Sequence, residues 1–161
     1  VTYRTMHNFP VYVELNSAKV WDVMYLPDVS AISFDVQGSY QFSKGNSGTL
    51  TAVFNSTEEK DSSNSVPNIP SSIISGAFRH SFDNGIVTEA FAEYVAKRWT
   101  DFAHSNANAG YVTIGGRGEY KFLDNVRALV QVNNLLNQQY YVWDGYVERP
   151  LFISLGVTYT W

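Results

Sequence analysis

The sequence holds few side chains of the kinds that catalyse reactions or bind metals. Its three histidines, His7, His80 and His104, lie on separate segments, and there is no cysteine, so neither a thiolate site nor a clustered histidine site is present. Serines are numerous, but none stands in the Gly-x-Ser-x-Gly sequence of a nucleophile elbow. We therefore predict that the chain is not an enzyme and that it binds no metal and no cofactor.

Two polar patterns have a weaker chemical meaning. Glu89, Glu93 and Lys97 share one face of an extended segment, where they could act as an acid cluster, but a row of solvated side chains is the commoner arrangement. The run Gly115-Gly116-Arg117-Gly118 is rich in glycine, as phosphate-binding loops are, yet no helix pattern follows it. Neither pattern predicts a reaction.

Composition excludes several further classes. The 161 residues carry a net charge of −4, so no basic face for a nucleic acid is indicated. Aromatic residues make up 16% of the chain, which is far too many for a disordered coil. No apolar run reaches the length of a membrane helix.

Apolar side chains instead recur at every second position, which is the period of a strand with two different faces. The pattern predicts an all-β chain of about eight antiparallel up-and-down strands. It is weakest in residues 1–15, where Pro10 should break the ladder, and a short helical turn fits only Asn134–Asn137. The other apolar stretches are 32–42, 50–54, 74–82, 88–96, 112–122, 126–132 and 151–161.

The predicted connections alternate in length. Residues 43–47, 83–85 and 123–125 have the glycine, asparagine and aspartate of tight turns. Long polar or aromatic loops are predicted at 16–29, 58–70, 102–110 and 135–149. Short turns at one end and long loops at the other are typical of outer-membrane barrels.

One face of the predicted strands is almost free of charge. Arg98 is the only charged residue on the apolar side, near the long-loop end of its strand. A lipid-facing surface would explain this, since a mid-membrane Arg or Lys costs about 2–4 kcal/mol. The many glycines and alanines on this face would underfill a closed core, which also favours lipid. A soluble β-sandwich, or a soluble barrel that binds lipid, stays open as an alternative.

Aromatic residues gather where strands approach the short turns or the chain end. They predict a girdle of amphipathic rings at one membrane interface. Its members are Tyr40, Phe42, Phe78, Phe82, Tyr120 and Phe122.

The last eight residues, 154–161, resemble the C-terminal signal of bacterial outer-membrane proteins. Ser154, Gly156, Tyr159 and Trp161 occupy its polar, glycine and two aromatic positions. The resemblance implies that the barrel-assembly machinery recognises this strand.

Residues 66–161 also resemble the C-terminal end of a TonB-dependent receptor barrel. Val66–Pro70 is similar to the family's proline-containing approach to a strand, and Tyr94, Arg98 and Asp101 are similar to its Tyr…Arg…Asp strand ending. Residues 132–140, Val-Asn-Asn-Leu-Leu-Asn-Gln-Gln-Tyr, resemble its Asn-Leu-Phe-Asp-x-x-Tyr element. The sequence departs from that element at Leu136, where Phe is usual, and at Asn137, where Asp is common.

Such barrels have about 22 strands around a plug. The resemblance therefore implies that residues 1–161 form a single C-terminal barrel segment of a larger receptor in the bacterial outer membrane, without the plug and the N-terminal strands. The receptor would import a scarce ligand such as a metal chelate or a vitamin. Implied partners are outer-membrane lipid, the rest of the receptor chain and the assembly machinery. TonB would contact only the missing N-terminal part, and an isolated fragment would self-associate through open edges.

The last long loop is the best candidate for ligand contact. It is exposed in the predicted topology and rich in aromatic side chains, and an equal alternative is that its rings form the outer aromatic belt. The candidates are Tyr140, Tyr141, Trp143, Tyr146 and Arg149. A complete eight-stranded outer-membrane barrel with a structural or adhesion role is a further alternative for the whole chain.

Overall fold

Most of the chain forms one antiparallel sheet in a computed structural model that describes residues 1–16 and 20–161. The alternating apolar pattern becomes long strands because each strand can pair on both sides through tight turns. The strands are β1 Thr2–Asn16, β2 Val20–Ser43, β3 Asn46–Glu59, β4 Ser72–Ser81, β5 Ile86–Val95, β6 Arg98–Trp99, β7 Ala107–Asn108, β8 Tyr111–Leu123, β9 Val126–Asn133, β10 Tyr141–Trp143, β11 Tyr146–Val147 and β12 Phe152–Tyr159.

The large sheet has eight strands in the order β1-β2-β3-β4-β5-β8-β9-β12. Two short ribbons, β6–β7 and β10–β11, belong to the long loops. This confirms the all-β prediction. Among the described residues β1 and β12 do not pair with each other, so the sheet has two free edges. The order is that of an open wall rather than of a closed eight-stranded barrel.

The first two strands extend much further than the sequence suggested. The predicted loop at residues 16–29 was wrong for residues 20–29, which lie in β2 and pair with β1 as a ribbon from Thr2↔Ser33 up to Asn16↔Val20. Its residues 17–19 lie outside the described residues. The prediction that Pro10 breaks the ladder was also wrong, because Pro10 pairs with Tyr25. Proline is tolerated here since β1 is an edge strand, where an absent N–H can face the open side.

The predicted turns and the last helical segment had different outcomes. The short turns at residues 43–47, 83–85 and 123–125 connect neighbouring strands as expected. Asn134–Asn137 forms a tight turn and not a helix, with positive φ values of 51° at Asn134 and 49° at Asn137. No helix in the described part of the chain is long and apolar enough to cross a membrane.

The apolar face of the sheet is open. Leu50, Phe78 and Val130 are 58%, 48% and 43% exposed, and Leu155 is 81% exposed. No second large sheet covers them among the described residues. The chain is therefore not a two-layer sandwich, because a sandwich would bury this face.

The buried apolar cluster lies at the long-loop end. Val11, Leu26 and Val29 of the β1–β2 ribbon pack against Val66 from the loop between β3 and β4. Phe102, from the loop between β6 and β7, packs against the same cluster. The long loops are thus held together by a small core of their own.

Candidate functional site

Two asparagines close the base of the last long loop. Asn134 is 4% exposed; its Oδ1 accepts the Gln138 N–H at 3.0 Å, and its Nδ2 donates to the carbonyls of Gln138 (2.9 Å) and Arg149 (3.2 Å). Asn137 Oδ1 accepts the Leu151 N–H at 3.0 Å. Asparagine suits both positions because it tolerates positive φ and offers both donors and acceptors. The loop therefore begins and ends on one hydrogen-bonded base.

Tyr140 turns back onto the wall. Its ring stacks on that of Tyr111, with centroids 4.2 Å apart. The Arg98 guanidinium in turn lies 5.7 Å from the centre of the Tyr111 ring. Burial raises the pKa of the Tyr140 hydroxyl, helped by Tyr111, Glu148 and Glu93 nearby. Tyr140 therefore stays neutral at physiological pH and can donate a hydrogen bond. Tyr111, at the start of β8, was not among the predicted site residues.

The other predicted contact residues spread along the loop. Trp143, 43% exposed, meets Tyr12 of β1 edge-to-face with ring centroids 6.3 Å apart. Tyr146 is 62% exposed at the tip of the β10–β11 ribbon. The Tyr141 hydroxyl accepts a hydrogen bond from Gln139 at 3.0 Å. The five candidates therefore do not form one cluster.

A cavity of about 190 Å³ lies beneath the loop. Tyr140, Glu148 and Arg149 of the loop line it together with Asn133 and Phe152 of the wall. The Arg149 guanidinium lies 5.5 Å from the Phe152 ring centre. This cavity brings together two of the predicted residues, Tyr140 and Arg149, and adds Glu148 as a carboxylate that the sequence prediction had not selected.

Charged residues form a network across the strands of the polar face. The register places Arg79 opposite Glu89 and Glu89 opposite Arg117. The Glu89 carboxylate lies 3.2 Å from Arg117 and 3.9 Å from Arg79, and Arg117 lies 3.7 Å from Glu119. The acid-cluster interpretation of Glu89, Glu93 and Lys97 is not supported, because Glu89 is neutralised by two arginines and Lys97 lies over the Trp99 ring at 3.8 Å.

The described residues contain no group of three or more His, Asp or Glu side chains placed to hold an ion. The three histidines lie on different elements. His80 hydrogen-bonds Asn46 Oδ1 at 2.7 Å, and His104 stacks on Trp99 with centroids 4.6 Å apart.

The sheet matches solved structures of bacterial receptors at low sequence identity. The siderophore receptor PiuA from Acinetobacter baumannii is 15% identical, with a TM-score of 0.74 over 98% of this chain and 25% of its own. The copper transporter OprC is 14% identical, with a TM-score of 0.81 over 98% of this chain and 27% of its own. The ferric yersiniabactin uptake receptor FyuA from Yersinia pestis is 13% identical, with a TM-score of 0.70 over 96% of this chain and 25% of its own.

This chain has the wall fold of a receptor barrel. The fold resemblance to TonB-dependent receptors is thereby confirmed, and the chain spans about a quarter of the length of the receptors it matches. Neither a protein-family model nor a curated protein matches the sequence.

In a receptor-barrel wall, the exposed apolar face is the one that turns to lipid. The six residues of the predicted girdle lie on or beside it, all at least 46% exposed. Tyr40 and Phe42 meet edge-to-face at 5.1 Å, Phe42 lies 6.1 Å from Phe78, and Tyr120 lies 6.3 Å from Phe122. Their membrane role stays a prediction.

The residues of the predicted assembly signal lie on or just after β12, at one free edge of the receptor-barrel wall. Ser154 pairs with Gln131, Gly156 with Leu129 and Tyr159 with Val126 of β9. Trp161 follows the strand and is fully exposed. This placement leaves the outer edge of β12 free for another strand, and the role of the signal stays a prediction.

Proposed function

We propose that this chain is the C-terminal part of the barrel wall of a TonB-dependent transporter in the bacterial outer membrane. The observation that carries the proposal is the open eight-stranded sheet with a continuous exposed apolar face, together with its match to receptor barrels. A wall with two free edges needs further strands to close, because unpaired edges invite aggregation.

The polar face suits the interior of such a barrel. The Arg79–Glu89–Arg117–Glu119 network lies on the opposite side from the exposed apolar residues. In a closed barrel this side faces the lumen, where charged side chains are tolerated. The wall would then line the passage around a plug supplied by the rest of the receptor chain.

The printed names of the matched proteins support a ligand class. The matched proteins are named as siderophore receptors and a copper transporter, so we propose a metal complex as the imported ligand. Tyr141, Trp143, Tyr146 and Arg149 would contact it from the last loop, with Tyr140 holding that loop to the wall. On this proposal TonB acts through the segment that these residues do not include, and the assembly machinery acts through β12.

The test begins with an immunoblot of outer-membrane fractions, using an antibody against residues 135–149. We expect a band several times larger than 18.1 kDa that shifts on heating, as folded barrels do. Deletion of the gene should then lower uptake of an iron–siderophore complex or of copper in a TonB-dependent way. An outer-membrane band at 18.1 kDa would contradict the proposal, since an open wall of this size cannot form a plugged barrel.

A further inference from the structure

Arg98 is a buried cation without a carboxylate partner. Its side chain is 6% exposed, and no carboxylate of the described residues lies within ion-pair distance of it. With the described residues its side chain makes one hydrogen bond, a long one of 3.5 Å from a guanidinium nitrogen to the Tyr111 hydroxyl, and its Nε–H has no partner among them. A buried charge is costly unless it is paired and hydrogen-bonded.

A second buried donor lies directly opposite. Arg98 pairs with Asn108 in the β6–β7 ribbon, and Asn108 is also 6% exposed. The Asn108 Nδ2 group has no hydrogen-bond acceptor. Asn68, whose backbone N–H donates to the Trp99 carbonyl at 2.7 Å, has an unpartnered Oδ1. Buried polar atoms without partners are uncommon in native proteins, and the Nε–H of Arg98 is a charged donor that an added acceptor group can satisfy.

A polar cavity adjoins this cation. It has a volume of about 470 Å³ and lies between the end of β5 and the loop that joins β3 to β4. That is far more than one water needs, since a water takes up about 30 Å³ of liquid. Arg98 and Lys97 supply two positive charges to its lining, which contains no Asp or Glu from the described part of the chain. Hydroxyl and amide side chains supply the rest of the polar surface: Asn55, Ser56, Thr57, Ser65 and Ser71.

We infer that this cavity binds an oxyanion, a phosphate or carboxylate group held mainly by Arg98. The guanidinium suits such a group because its planar donors match two oxygens at once. Lys97, an exposed residue that also lines the cavity, adds a second charge, and the serine and threonine hydroxyls can donate to the remaining oxygens. No residue of the last loop lines this cavity, and the inference does not use the transport proposal.

The anion could come from solution or from a lipid headgroup, and the experiment separates the two sources. The protein is extracted from its native membrane in a neutral detergent and titrated calorimetrically with inorganic phosphate and with acetate. A parallel sample uses micelles that contain phosphatidic acid, with diacylglycerol as the uncharged control. Arg127→Met, which removes an exposed arginine from the wall, is the matched control variant.

We expect saturable binding that Arg98→Met weakens by about ten- to a hundredfold, the value of a hydrogen-bonded charge, and that Arg127→Met leaves unchanged. Lys97→Met should weaken it less, because Lys97 is exposed and screened. Binding only in phosphatidic acid micelles, with the same loss in Arg98→Met, would support the site with a lipid as its source.

Absence of binding to every probe would overturn the inference, as would equal binding by wild type and Arg98→Met. If Arg98→Met does not fold, as judged by loss of the heat-dependent gel shift of a folded barrel, the Ser71→Phe variant tests the site instead. Ser71 is exposed at the cavity, so a phenyl group there should fill the cavity and abolish binding without removing the cation. Retained binding in Ser71→Phe would then count against the site.

Discussion

The rings of Tyr111 and Tyr140 stack with centroids 4.2 Å apart, which ties the first residue of β8 to the last outer loop. Arg98 lies 5.7 Å from the centre of the Tyr111 ring and reaches its hydroxyl. Tyr111 therefore contacts one residue from each motif that resembles the receptor family: Arg98 of the Tyr…Arg…Asp strand ending and Tyr140 of the element at residues 132–140.

We expect Tyr140→Ala to loosen the last loop. The substitution removes an aromatic pair worth about 0.5–1.5 kcal/mol beyond its buried area, while the strands of the sheet keep their hydrogen bonds. Hydrogen exchange of residues 138–149 should become faster, and that of β8 and β9 should not change. Tyr140→Phe is the control, because it keeps the ring and loses only the hydroxyl. Equal loosening in both variants would show that the stack does not hold the loop.

Asn134→Ala should open the same loop more strongly. It deletes three hydrogen bonds to Gln138 and Arg149, each worth about 1 kcal/mol, and places alanine at a positive φ of 51°. We expect a local loss of about 2–4 kcal/mol, measured as faster proteolytic cleavage between residues 138 and 149. Leu136→Ala, which shortens a 57% exposed side chain in the same turn, should cleave as slowly as wild type.

The sheet was predictable wherever alternation ran unbroken from turn to turn. β3–β5, β8, β9 and β12 followed because their apolar face repeats at every second residue and tight-turn residues mark their ends. In the β1–β2 ribbon, residues 20–29 of β2 were missed. Pro27 lies within that segment, opposite Asn8, whose positive φ of 52° interrupts the regular alternation of β1. Because Val66, from a distant loop, stabilises this ribbon, the local sequence of the ribbon does not predict how far it extends.

The site was predictable only as a set of residue types. The aromatic character of the loop pointed to Tyr140 and Trp143, but the direction of each ring depends on contacts far away in the sequence, with Tyr111 and with Tyr12. Likewise, the pairing of Glu89 with two arginines could not be predicted, because strand register decides which residues face each other. Tyr111 had one usable signal: it stands on the polar face at the start of a strand, beside the outer loops.

The charge network on the polar face should depend on Glu89 most. Glu89→Gln leaves Arg79 and Arg117 facing each other across a neutral side chain, and the carboxylate is only 21% exposed. We expect a loss of about 1 kcal/mol in unfolding free energy, between the values for exposed and buried pairs, that shrinks in high salt. Glu119→Gln removes a single 3.7 Å contact and should cost less. A larger effect of Glu119→Gln would contradict the central position of Glu89.

Asp101 should hold the turn between β6 and β7 in a pH-dependent way. Burial tends to raise its pKa, but hydrogen bonds from Ser105 and Asn106 outweigh burial and lower the pKa below the usual 3.8. A lowered native pKa means that the stabilisation is complete at neutral pH and is lost as the pH falls below about 4. Exchange protection of the Ser105 and Asn106 amides, corrected for intrinsic rates, should therefore exceed that of Asp101→Asn at pH 7. The protection factors of wild type and Asp101→Asn should converge near pH 2. A difference that stays constant with pH would show that the protection depends on the geometry of the side chain and not on its charge.

Trp143 separates the two roles considered for the last loop. If the loop contacts the imported ligand, Trp143→Ala in the receptor should lower uptake by about tenfold or more, the usual cost of truncating a central aromatic contact. The yield of heat-shifting folded barrel should stay at the wild-type level, because the loop base at Asn134 and the Tyr111–Tyr140 stack do not involve this ring. If Trp143 instead belongs to an outer aromatic belt, uptake and folded yield should fall together.

The edge-to-face contact of Trp143 with Tyr12 requires a further control, Tyr12→Leu, which removes that contact and leaves the Trp143 ring in place. We expect Tyr12→Leu to take up ligand at close to the wild-type level, while Trp143→Ala loses about tenfold. That result would show that uptake depends on the indole ring itself and not on the loop position that Tyr12 supports.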